Sequence, residues 1–483
     1  MANASSTIKR VGLILMGLLL GLFVLAGTAL LYFGIPRNAA GMAAKGICSA
    51  AFVAGRPLPR LMVDDVLPAS PVLGLISISV DETARSVTAK FAGLFERTAV
   101  LLPQRGCVLD VTLPSLPVPV PVAKTELATP KDDQLWPLGE SPVPMAQWGP
   151  SVDATALQKV LDQAFVGAGD PNGANARGVA IVHKGRLLAL RGAPGFAPGT
   201  PLHGWSMSKT VTGMLLHKIA VDTQLSLDSP VVDAFAPTRE PAWLAAWRSD
   251  GRKNIKVSDL LYMRDGLAST EDYQPWGSVP QMLWGHANVA AFAAAAPTEA
   301  TPGTRWRYLS GTANLLSGVA RGRFRSDADY WAYPAKALFE PIGARSAVLE
   351  TDSDGNWVGS SYVWASASDW ARLGQLMLSD GRWGEAQVLP PGWLQRAAVP
   401  STAQGEGPGY GALSWRIGDP VAGECKGRGL PPDTLAMMGH WGQIVAMVPS
   451  RQTVVVRLGW TFRRSQFDAC EFVAQVLQSL PKE

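Results

Sequence analysis

The chain has 483 residues, a net charge of +4, 47% hydrophobic residues, five His and four Cys. That length carries two or three domains and a large core, and the thinly spread charge forms no basic stripe with interleaved aromatics, so nucleic acid is not an expected partner. The His and Cys residues lack metal-ligand spacing and there is no His-Glu-x-x-His, which argues against a zinc hydrolase; no cofactor is expected.

A short tail, residues 1–10, ends on Lys9 and Arg10. Residues 11–33 carry no charge and are long enough to span a bilayer as a transmembrane helix. The two basic residues before the run favour an inside N-terminus, with the bulk of the chain periplasmic or otherwise extracytoplasmic. A cleaved signal peptide is the alternative, since Ala39-Ala40 and Ala43-Ala44 supply small residues, but the run is long for a signal core and an anchor is preferred. Residues 34–112 read as a small β-rich region, with strand-like runs at 73–80, 87–91 and 99–102. Residues 113–150 form a Pro-rich connector, in which Pro114, Pro117, Pro119 and Pro121 suggest an extended course. Four cysteines allow three pairings; their placement favours Cys48 with Cys107 and Cys425 with Cys470, which fits an oxidising compartment.

From residue 151 to the end the texture is that of one larger domain. Leu157, Val160, Leu161, Ala164 and Phe165 mark an amphipathic helix. Runs 179–183 and 186–190 flank Lys184-Gly185 as a hairpin. A helix is expected from about Ser206, because Val211, Met214, Leu215 and Ile219 recur at helical spacing. Residues 222–400 read as helical and loop-rich, and strands return at 412–416, 444–448 and 453–458 before a last helix through Phe472, Val473, Val476 and Leu477. Strands from both ends of the domain therefore bracket a helical insert, an α+β arrangement with an antiparallel sheet flanked by helices.

The chemistry concentrates at Ser206-Met207-Ser208-Lys209. Residues three apart share a helix face, so the Lys209 amine hangs beside the Ser206 hydroxyl. A serine hydroxyl needs a base, and a partly desolvated lysine can be one. The pattern alone is weak: Ser-x-x-Lys also occurs at Ser6 and Ser479, and an N-cap serine with a surface lysine would look the same. Two further segments could complete a site. Tyr308-Leu309-Ser310 offers a phenol that sheds its proton more easily beside a lysine, and Gly439-His440-Trp441-Gly442-Gln443 leads into a strand whose glycines let backbone approach a substrate.

The order of these segments resembles the β-lactamase-related serine hydrolases, the superfamily of class C β-lactamases and penicillin-binding peptidases, and within it the branch of esterases and 6-aminohexanoate-dimer hydrolase. Five segments carry the resemblance across residues 155–477: Gly204 to Lys209, Ile255 to Met263, Tyr308 to Ser310, Val358 to Tyr362 with Ser368 to Arg372, and Gly439 to Gln443. It implies a β-lactamase/transpeptidase-like fold, Ser206 as nucleophile, Lys209 as its base and Tyr308 as proton carrier to the leaving group. The backbone amides of Ser206 and Gln443 would form the oxyanion hole, with Gly442 in the same turn.

Two departures narrow the substrate. Ser310 stands where Asn is common, and His440 stands where β-lactamases and penicillin-binding proteins carry Lys. A His lacks a permanent charge for a substrate carboxylate, so small-molecule esters or small amides are expected ahead of β-lactams or D-Ala-D-Ala peptides. The remaining readings are a cell-wall peptidase, a silent binding protein, and a Ser206–His440 pair oriented by an Asp. His203 reads as a loop residue, and Trp205, Trp306 and Trp441 as pocket walls or core.

Overall fold

The computed structural model describes residues 14–16, 21, 27–28, 32–110, 134–170, 173–402 and 409–481. Most of the expected membrane span, residues 11–33, lies outside them, as does most of the Pro-rich connector. Among the described residues no helix is long and apolar enough to cross a membrane.

The N-terminal unit opens with a helix the sequence did not announce, α1 (Ile35–Cys48). Its buried face is built from three alanines, Ala40, Ala43 and Ala44, with Ile47. They let the helix lie close on a four-stranded antiparallel sheet of β1 (Ile76–Asp81), β2 (Ser86–Phe91), β3 (Phe95–Leu102) and β4 (Gly106–Leu109), paired in that order. Val87, Ala89 and Ala99 point to the helix side and are fully buried. The first strand begins later than expected because Pro71–Leu75 forms a 3-10 turn, and four-residue β4 is too short to show in the sequence.

The larger unit starts with α2 (Ala154–Ala164), capped by Asp153, whose carboxylate accepts the Ala156 N–H at 2.8 Å. The hairpin β5 (Ala176–His183) and β6 (Arg186–Gly192) turns at Lys184 and Gly185, both left-handed. The insert contains α3 (Ser208–Asp222), α4 (Ser310–Arg321) and α5 (Ala367–Leu378). The sheet then resumes with β7 (Leu435–Gly439), β8 (Gln443–Val448) and β9 (Thr453–Gly459), followed by α6 (Ala469–Gln478). Strand order is β7-β8-β9-β5-β6, all antiparallel. Alternation along β5 sorts the two faces. Val179 and Ile181 pack with the residues of α2 and α6, whereas Ala180 and Val182 pack toward α3 and α5.

The expected strand at 412–416 is instead irregular, with isolated bridges Tyr410–Trp415 and Trp415–Ala436. Leu413 there is left-handed, which breaks an extended run. The true edge strand, β7, has no β-branched or aromatic residue and carries little β signal. Residues 134–150 lie against the larger unit. Trp136 is buried, and Arg372 of α5 donates to the carbonyls of Pro137 and Gly139 at 3.2 and 2.7 Å and meets Glu140 at 2.9 Å.

Both disulfides form as expected, Cys48–Cys107 and Cys425–Cys470. The first ties α1 to β4 beside the main polar contact between the two units. There Lys45 of α1 lies 3.2 Å from Glu350, and both are almost fully buried. Glu350 also accepts the Ser49 hydroxyl and the Cys107 N–H, each at 2.8 Å, and Lys45 donates to the Cys107 carbonyl. Burial pushes the Lys45 amine below its usual range, and Glu350 opposes that push. Removing the carboxylate would strand a buried charge. Glu350→Ala is expected to lose about 3–5 kcal/mol of stability, read as a lower urea midpoint.

Candidate active site

Trp205–Met207 form one 3-10 turn that feeds into α3, and Trp205 is left-handed at φ 50°. The approach to this turn is fixed by a small sheet in which Leu202–His203 pairs with Val363–Ala365, and that strand pairs with Val348–Leu349. Helix α3 is buried on nearly every side, and Lys209 is 1% exposed, so it is no surface lysine. Its Nζ lies 2.9 Å from Ser206 Oγ, 3.0 Å from Ser310 Oγ and 3.3 Å from the Ser360 carbonyl. Burial brings the amine down to about 8, against the opposing pull of Glu271 at 3.9 Å. An amine so poised can be neutral and take a proton at mildly alkaline pH. The neighbouring Ser208 is otherwise engaged, donating to the Trp205 carbonyl at 2.6 Å and accepting the Val363 N–H at 2.9 Å.

Tyr308 presents its ring face to Lys209, with Nζ 4.6 Å from the centroid. The expectation of an easily ionised phenol needs correcting. Burial first, then Tyr410, Glu271 and Tyr273, push the Tyr308 phenol well above its ordinary value, and the nearby Ser206 side chain offsets only part of this. Tyr308 is therefore a protonated phenol, a donor rather than an anion. Its segment is held in place because the Arg307 N–H donates to the carbonyl of left-handed Met263 at 2.8 Å.

Two residues here escaped the sequence reading. Glu271 accepts the Ser310 N–H and the Ser310 hydroxyl, both at 2.6 Å, and so caps α4 while facing Lys209. Tyr273 lies 3.4 Å from Glu271 and stacks on His440 at 4.4 Å with rings 6° from parallel. In the sequence both sit in Ser269-Thr270-Glu271-Asp272-Tyr273, which looks like any polar loop.

The Gly439 to Gln443 segment closes the other side. A Cβ on Gly439 would stand 2.2 Å from the Gly204 carbonyl, so this glycine serves an approach of backbone to backbone, next to the Ser206 turn. Trp441 and Gly442 are both left-handed. The buried Gln443 side chain braces this turn: its Oε1 accepts the Gly459 N–H at 2.8 Å and its Nε2 donates to the His440 carbonyl at 3.1 Å. His203 is buried in strand rather than loop, stacked on Tyr362 and Trp364, tilted against Trp205 and bonded to the Ser361 carbonyl at 2.7 Å. Burial lowers its ring to about 3, so it stays neutral.

The profile of the Beta-lactamase family matches residues 155–472. The chain belongs to the β-lactamase family. The N-terminal unit lies outside the matched region. Solved structures share the fold. One is a protein assigned as a 6-aminohexanoate-dimer hydrolase from Bacillus anthracis, with TM-score 0.52 and 19% identity, over 68% of this chain and 83% of that one. Another, assigned as a β-lactamase from Bacteroides dorei DSM 17855, has TM-score 0.53 and 16% identity over 68% and 99%. A third, EstCE1, a hydrolase with promiscuous acyltransferase activity, has TM-score 0.51 and 17% identity over 68% and 98%. No curated protein matches the chain.

Within this family fold the Glu271 carboxylate sets the charge felt by the amine. Glu271→Gln removes a contact that raises the Lys209 pKa, so the amine drops further below about 8. If neutral Lys209 is the active form, the acid limb of a kcat/KM profile moves to lower pH in Glu271→Gln. An unmoved limb would show that Lys209 is not the titrating base.

Proposed function

We propose that the protein is a serine hydrolase that cleaves an ester or small amide through an acyl-enzyme on Ser206. The observation that carries this reading is the buried Lys209 amine, 2.9 Å from Ser206 Oγ and lowered to about 8. In the first half-reaction, neutral Lys209 takes the Ser206 proton as the oxygen attacks the carbonyl carbon. The oxyanion accepts hydrogen bonds from the backbone amides of Ser206 and Gln443. The Tyr308 phenol gives its proton to the departing alcohol or amine as that bond breaks, and regains one from the Lys209 ammonium. Water then attacks the acyl carbon by the same route in reverse, releasing the acid and restoring Ser206. Ser310 and Glu271 hold the amine in register throughout.

At the position where a lysine would attract a substrate carboxylate, His440 lies flat on Tyr273. That supports uncharged acyl groups over β-lactams. The catalytic unit is read as extracytoplasmic and tethered by residues 11–33; the uncharged run and the two disulfides support this. Detection of full-length chain in a washed membrane fraction is the expected result, and a processed soluble form would refute the tether.

Ser206→Ala should lower hydrolysis of a p-nitrophenyl ester by about 10³-fold or more, with stability changed by no more than about 1 kcal/mol. Lys209→Ala should be nearly as damaging, and Tyr308→Phe should cost about 10²-fold. The losses should not add, because the three act as one unit. A serine-directed fluorophosphonate should label Ser206; labelling of Ser208 or Ser310 instead would sink the assignment. Nitrocefin turnover should be poor beside the ester, and His440→Lys should shift preference toward carboxylate-bearing substrates. Efficient nitrocefin turnover by the wild type would overturn the ester reading.

A further inference from the structure

The N-terminal unit has two unlike ends, and α1 and β3 start at the same one. Cys48, at the far end of the helix, is bonded to Cys107, which pairs with Leu101 late in β3. Midway along, a Cβ on Gly41 would stand 3.1 Å from the side chain of Leu109, the partner of Ala99. In the first turn, Arg37 is near enough for its charge to be felt by Arg97. Helix and strand thus run side by side in one direction, and Phe33, just before the helix, falls level with the turn Ala92-Gly93-Leu94 that leads into β3. The Ala92 N–H donates to the Leu75 carbonyl at 2.9 Å, which brings the 3-10 turn Pro71–Leu75 to the same rim.

This rim is apolar where turns are usually polar. Hairpin tips favour Gly, Asn, Asp and Ser, yet the sequence here is Phe91-Ala92-Gly93-Leu94-Phe95. Leu94 is 80% exposed, Tyr32 is 84% exposed, and Val72 and Leu75 are each more than half exposed. The turns at the opposite end of the same sheet have ordinary composition, with exposed Glu82, Thr83 and Arg85 in one and Gln104 in the other. Single exposed apolar residues are common, but a group of them on one rim marks a contact surface. The chain itself points to what covers it. Only Gly34, left-handed, separates the uncharged run of residues 11–33 from α1, so no linker remains to hold the unit away from a membrane surface. Tyr32 and Phe33 close that run, and aromatic residues favour the level of the headgroups. Next to the tip, Lys90 and Glu96 form an exposed ion pair at 2.7 Å, and Arg37 is exposed. Such charges suit a headgroup layer and are depleted at the core of a protein interface.

We propose that this rim docks into the interfacial layer of the bilayer that holds the tether, with Leu94, Leu75 and Val72 inserted among the headgroups. The partner is the lipid surface itself. This docking rests on residues 11–33 being a tether, and it adds what a tether alone lacks. A span joined to a free unit would let that unit swivel, whereas a second contact on the rim fixes its height and tilt. The N-terminal unit is then a foot on which the catalytic unit stands.

All four cysteines are in disulfides, so a cysteine placed at Leu94 can be labelled alone. The full chain with Leu94→Cys carries an environment-sensitive fluorophore and is reconstituted into phosphatidylcholine vesicles containing lipid spin-labelled at the headgroup. A second chain carries the probe at Thr83→Cys, in the opposite turn. The tip probe should be quenched severalfold more than the probe in the opposite turn, at every protein-to-lipid ratio. Leu75→Asp, added to the Leu94→Cys chain, should cut that quenching severalfold with an unchanged unfolding temperature, because a carboxylate resists burial. Flotation of the vesicles reads the tether separately. If the chain does not float with them, tether and docking both fall. If it floats and the two probes are quenched alike, or folded Leu75→Asp leaves the tip quenching unchanged, the docking alone falls. Shielding of the tip probe from aqueous iodide only at high protein density would assign the rim to a second copy of the chain, and would also overturn it. If Leu75→Asp does not fold, the contrast between the two probes decides.

Discussion

A lysine amine withdrawn from water governs the architecture of the catalytic unit. Lys209 keeps its reduced basicity because α3 is enclosed on almost every side, and enclosure requires the sheet, α4 and α5 to close around one helix. Holding the amine at about 8 rather than 10.5 costs the folded state about 3 kcal/mol. The sign is that of a lysine lowered on folding. The cost is fully present below about 8 and disappears as pH rises past the unfolded value. The Ser206, Ser310 and Ser360 oxygens supply what water would have given, and Glu271 at 3.9 Å limits how far the amine can fall.

That requirement explains which residues could be found in the sequence. Ser206, Lys209 and Tyr308 stand in ordered segments with local spacing, and the helix that carries Lys209 is buried on almost every face. Glu271 and Tyr273 do not, because their roles arise from a loop folded back across α4, a contact with no local pattern. The expected state of Tyr308 was misjudged for a related reason. A lysine neighbour can be read from order along the chain, but burial among Tyr410, Tyr273 and Glu271 is decided in three dimensions. The sheet behaved similarly. Val-rich β8 and β9 declared themselves, while β7 depends on its neighbour for its extended form.

The N-terminal unit is bound by more than apolar contact. Glu350 directly follows Val348–Leu349 in the small sheet that holds the approach to Ser206, so the unit's grip on Glu350 reaches the catalytic turn through backbone pairing. The core face of helix α1 is mostly alanine, and alanine is what lets it sit close enough for Lys45 to reach across. Arg372, in a segment that carried the family resemblance, has a comparable structural use, since it fastens the connector's end onto α5.

The partnership of Lys45 and Glu350 also has a consequence in time. The two residues are more than 300 positions apart, and Ser49 shares the same carboxylate across 301. As the chain is made, the N-terminal unit can assemble its sheet and close Cys48–Cys107 long before Glu350 exists. Until then the amine destined for burial stays hydrated at an unfinished surface. Docking must then expel that water in a step set by the closure of a very long loop, and contacts of such separation slow folding. The seating of one carboxylate thus joins two units whose contact residues are made far apart in time.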